Sequence, residues 1–77
     1  MKEFILDLSS LNDINDFITG IKNIPCDINA SYEKQIVDAK SYLGLVSIST
    51  HPITVSINTD NPNYIEIFSH VCRRYLR

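Results

Sequence analysis

The hydrophobic residues of this chain switch repeatedly between a spacing of two and a spacing of about 3.6, and this switching constrains the fold more than any other feature. Phe4, Leu6 and Leu8 point one way with Glu3 and Asp7 opposite, which reads as a half-buried strand. Leu11, Ile14, Phe17, Ile18 and Ile21 then recur at helical spacing, with Ser10 as N-cap and Asp13 suited to the positive end of the helix dipole. Ile24-Pro25 closes this segment, because Pro cannot continue a helix. Ile28, Ala30 and Tyr32 form a second alternating run. Gln35, Val37 and Ala39 form a third after the short break Glu33-Lys34, so these two strands are expected to be antiparallel neighbours.

From Ser41 to about Ser47 the chain reads as a short helix with Ser41 as N-cap. Gly44 weakens that helix intrinsically, so close backbone packing is the better reason for a glycine there. After the loop Thr50-His51-Pro52, Ile53, Val55 and Ile57 alternate as a fourth strand. Asn61-Pro62 then opens a last helix with Ile65, Phe68, Cys72 and Tyr75 as its inner stripe. Arg73, Arg74 and Arg77 lie at its C-terminal end, where cations complement the dipole.

The order is β-α-β-β-α-β-α, and 77 residues leave room for one domain spanning 1–77. Four half-buried strands need one covered face, and three helices suffice to cover it. The expected architecture is an α+β open-faced β-sandwich: a four-stranded antiparallel sheet with three helices on one face. Asp7, Asn29, Ser31, Asp38, Thr54 and Ser56 would populate the wet face. Phe4, Leu6, Ile14, Phe17, Ile21, Val37, Leu43, Val55, Phe68 and Cys72 are expected to be buried.

Charge narrows the function classes. A net charge of −2 gives no basic surface for phosphate neutralisation, so nucleic acid is not an expected partner. No apolar run reaches the roughly 18 residues of a membrane span. The N-terminus is broken by Asp7 and lacks a signal-peptide core. Cys26 and Cys72 are too few for a secreted disulfide scaffold, so a cytoplasmic location is expected. Neither cysteine sits in a C-x-x-C pair, and only His51 and His70 could supply imidazole, so neither a metal nor a cofactor is expected. No nucleophilic triad or phosphate loop is present, and the chain is not expected to be an enzyme.

Ser41 is the residue that stands out. Preceded by Lys40, it reads either as a plain helix cap or as a position where backbone amides and a nearby cation would accept a phosphate. The stretch Val37-Asp38-Ala39-Lys40-Ser41-Tyr42-Leu43-Gly44-Leu45-Val46-Ser47 resembles the segment around the regulatory serine of HPr, the small phosphocarrier of the bacterial sugar phosphotransferase system. That segment reads Lys-Ser-Ile-Met-Gly-Val-Met-Ser-Leu in many members. Element order and length fit the same family.

The resemblance implies a sheet ordered 1-4-2-3 and Ser41 as a site of regulatory phosphorylation. It also implies Lys40, Tyr42, Leu43 and Val46 as a docking surface for enzyme I, HPr kinase or a transcriptional regulator. For the apolar three, core packing is the alternative.

The family's acceptor histidine lies in a Gly-Leu-His-Ala-Arg-Pro stretch between strand one and helix one. Read ungapped from Phe4, this chain has Asp13 at or beside the histidine position and Asn15 at that of the arginine. Carboxylates there would repel a phosphoryl donor. Asp13 reads as a first-turn helix acid or, less simply, as an acyl-phosphate acceptor. His51 and His70 match nothing in the motif. The reading is an HPr-like regulatory or protein-interaction module without the histidine phosphocarrier site. The alternatives are a working phosphocarrier with another acceptor, or a binding module unrelated to sugar transport.

Overall fold

A computed structural model describes residues 1–77. The elements follow the order β1 (Lys2–Leu6), α1 (Leu11–Ile21), β2 (Ile28–Tyr32), β3 (Gln35–Asp38), α2 (Tyr42–Ile48), β4 (Ile53–Ile57) and α3 (Pro62–Arg73). The strands form one sheet ordered β1-β4-β2-β3, and every neighbouring pair is antiparallel. The architecture is an open-faced α+β sandwich, with the sheet order that the HPr resemblance implies.

Register explains why one face is dry. The row Phe4–Val55–Ala30–Val37 and the flanking residues Leu6, Ile53, Ile57 and Ile28 turn toward the helices. There they meet Ile14, Phe17 and Ile21 of α1, Leu45 and Ile48 of α2, and Phe68 and Cys72 of α3. Phe68 leans on Phe4 at 5.8 Å between ring centroids, and Phe17 meets Tyr75 edge to face at 6.1 Å. No polar or charged residue is buried in this core.

Three of the residues expected to be buried differ. Phe4 and Val37 are half-buried because each sits on an edge strand with one flank open. Leu43 is 79% exposed, so its place in the core is corrected. Only one side of the seven-residue α2 faces the sheet, and Gly44, Leu45 and Ile48 occupy it. A Cβ on Gly44 would lie 3.1 Å from that of Val37, so the glycine permits the close approach.

Helix starts follow the cap chemistry. The hydroxyl of Ser10 accepts from the Asp13 amide, that of Ser41 from the Gly44 amide, and the Asn61 side chain from the amides of Asn63 and Tyr64. The β2–β3 turn has no glycine, and Glu33 takes a φ of 54° to close it. The C-terminus returns to the sheet. Leu76 bridges Leu6, Arg77 N–H donates to the Ile5 carbonyl, and Asp7 N–H donates to the Tyr75 carbonyl. No helix is long and apolar enough to cross a membrane.

Candidate functional site

Residues Lys40 to Val46 lie where β3 hands over to α2. Asp38 prepares the turn: its carboxylate accepts from the Lys40 amide at 2.9 Å and its carbonyl from the Ser41 amide at 3.0 Å. Ser41 is half-buried, and its Oγ accepts from Gly44 N–H at 3.2 Å. Modification of that oxygen would replace a helix cap with a phosphate at the same helix end.

Lys40 stands beside Ser41 in sequence, but its ammonium is spent elsewhere. It donates to the carbonyl of Ile24 and, at 3.1 Å, to that of Cys26, both in the loop after α1. Half-buried carbonyls need donors, and a cation fits the negative end of α1. Its ammonium fastens the α1–β2 loop to the entrance of α2 instead of standing free beside Ser41.

The apolar residues of the segment do share a surface. Leu43 and Val46, one turn apart, are exposed on α2, and Tyr42 is exposed at its start. Leu11, 58% exposed at the head of α1, and Val46 border the same depression with Leu8, Ser9 and Ser10. Leu11 was not singled out on the sequence, because one apolar residue at the start of an amphipathic helix looks like the edge of its buried stripe. Ser49 closes α2 beside this depression, with its hydroxyl buried and lacking a hydrogen-bond partner.

The β1–α1 junction is Asp7–Ser10, and Asp13 lies inside the first turn of α1. Its carboxylate accepts from Ser9 N–H at 3.2 Å and from Ser9 Oγ at 3.0 Å, a tie that steadies the helix end with the chain's own anion. Asn15 is exposed two residues further along. Within a junction defined by place rather than by ungapped counting, Ser10 stands directly ahead of the helix. The junction contains no histidine. His51 stacks flat on Tyr32, 4.3 Å between centroids, and His70 is exposed on α3. Neither approaches the junction in sequence, and no group of three or more His, Cys, Asp or Glu side chains comes together. Cys72 is fully enclosed, and burial pushes its thiol up to about 12.

These features define a class by shape: a small open-faced α+β sandwich with an apolar α2 crest beside the α1 entrance. Among solved structures the chain is similar to HPr-C-His from Thermoanaerobacter tengcongensis, with a TM-score of 0.73 at 17% identity, over 95% of this chain and 92% of that one. The two share a fold. No protein-family model matches the sequence, and no curated protein sequence matches it.

Proposed function

We propose that the protein is an HPr-like interaction module that lacks the histidine phosphocarrier site and serves regulation of sugar phosphotransfer. The observation that carries this reading is the α2 crest. Leu43, 79% exposed, stands on a helix whose other face already fills the core, with Tyr42 and Val46 exposed on the same helix and Leu11 bordering one depression with Val46. An aliphatic cluster left in water is a surface for another protein. Enzyme I, HPr kinase or a transcriptional regulator are the partners the resemblance suggests, and Ser41 at the foot of the crest is the modifiable position. Asp13, held against Ser9 in the first turn of α1, is a carboxylate beside the β1–α1 junction, and its like charge disfavours an anionic phosphoryl group there.

The test is incubation with enzyme I and phosphoenolpyruvate, then with HPr kinase and ATP, read by intact mass. The first step leaves the mass unchanged. The second adds one acid-stable phosphate, which Ser41→Ala abolishes and Leu43→Asp prevents without loss of fold. Tyr42→Ile, which restores the smaller residue of the resembled motif, raises the labelling rate. Acid-labile phosphorylation from phosphoenolpyruvate would overturn the reading.

A further inference from the structure

The open face of the sheet is a second surface, on the side away from α2. Register places two complete rows on it: Glu3–Ser56–Asn29–Asp38 and Ile5–Thr54–Ser31–Ile36. Both rows have the same plan, with small polar residues on the two central strands and a larger side chain on each edge strand. One row ends in acids. The other ends in isoleucines, with Ile5 53% and Ile36 71% exposed. Asp7 and Asp27 continue the outward alternation just beyond β1 and β2, and both are exposed. The rows contain no lysine or arginine. The arginines of the chain, Arg73, Arg74 and Arg77, cluster at its C-terminal end. Lys34 continues the same alternation beyond β3 and Arg77 lies beside Ile5 at the β1 border, so four acids on this face, Glu3, Asp7, Asp27 and Asp38, outweigh two cations at its margins.

We infer that the open sheet face docks a cationic amphipathic helix of a partner protein. Charge complementarity sets the sign: acids at both ends of a row favour lysine or arginine on the partner and repel nucleic acid and anionic lipid. Shape sets the form. The central strands have both neighbours in place, so an extended peptide lying on the face would find no backbone partners, whereas a helix satisfies its own backbone. Three strand spacings separate Ile5 from Ile36, and Glu3 from Asp38, about 14 Å in each case. A helix of about ten residues spans that distance, and its width of about 10 Å covers both rows. The short side chains of Ser31, Thr54, Asn29 and Ser56 leave the middle of the face low, so the partner's apolar stripe seats between the two isoleucines.

The probe is a Leu/Lys amphipathic peptide of about 15 residues, titrated into the isotopically labelled protein and followed by amide chemical shifts. Its Leu/Glu counterpart is the charge control. Shifts are expected along the two rows, with no response to the Leu/Glu peptide. Raising salt from about 50 to about 300 mM weakens binding several-fold. Glu3→Lys with Asp38→Lys weakens it at least tenfold, while Asp60→Lys with Glu66→Lys, the same charge change on the helix side, stays within about twofold. Circular dichroism verifies that both variants fold. Shifts centred on Leu43 and Val46, or equal loss in both double variants, overturn the proposal. Self-association at this face, abolished by Glu3→Lys with Asp38→Lys, assigns it to a second copy of the chain and overturns the partner named here.

Discussion

Replacing Lys40 by Met removes the ammonium and keeps most of the aliphatic stem, so it isolates the two bonds to the Ile24 and Cys26 carbonyls. A hydrogen bond involving a charged group contributes about 1.5–3 kcal/mol. The side chain is only half-buried, and releasing its ammonium to water returns part of that value. The net loss for the pair is then about 2 kcal/mol. At roughly 0.05–0.15 kcal/mol per residue, a chain of 77 has about 4–12 kcal/mol in total, so the change is large. With a urea slope of about 1 kcal/mol per molar, the midpoint falls by about 2 M. In heat the same loss lowers Tm by about 8–16 °C. Hydrogen exchange adds a local readout, because the Cys26 amide is held by the Ile24 carbonyl that Lys40 also engages. It should exchange faster in Lys40→Met than global destabilisation alone requires. A midpoint shift under about 0.3 M, with unchanged exchange at Cys26, would refute the fastening role and return Lys40 to the pool of surface cations.

Other outcomes are equally specific. Phe68→Ala removes a fully enclosed ring that also contacts Phe4, and should cost about 3–5 kcal/mol in chemical denaturation. Gly20→Ala sets a Cβ within 2.8–2.9 Å of both Val71 methyls, and valine on a helix cannot turn away. Overpacking of about 2 kcal/mol should exceed the helix-propensity gain of about 1 kcal/mol, and Val71→Ala in the same chain should restore the difference. Cys72 ionises near 9.0 when exposed and at about 12 when folded, so the folded state prefers the thiol. Stability is complete below pH 9 and falls as pH rises through that window, by on the order of 1 kcal/mol at pH 10, and Cys72→Ala should flatten the Cys72 part of the decline.

The four strands were legible from their alternation and the three helices from their caps, with Ser10, Ser41 and Asn61 in the roles their positions suggest. Strand order was not in the pattern, since alternation says which residues face inward and nothing about which strand lies beside which. Leu43 was misread for a local reason: five of the seven residues in α2 are apolar or aromatic, so no period fixes the phase of the helix, and only packing of Gly44 against Val37 reveals it. The bonds of Lys40 were hidden for a long-range reason. Its partners are backbone carbonyls in another loop, and carbonyls have no sequence signature. Asp13 was legible as a helix acid three residues after its cap, and it stands there, in the first turn of α1.

The returning C-terminus gives the sheet two unlike borders. On β1 the Ile5 carbonyl and the Asp7 amide are already taken by the tail, while nothing of this chain lies beyond β3. Strand-by-strand polymerisation needs a donor border and an acceptor border on every monomer. A chain with one border obstructed can join a single neighbour through β3, and growth terminates there. Residues Tyr75 to Arg77 thus oppose strand addition at the β1 border, through a backbone bridge rather than through the identity of their side chains.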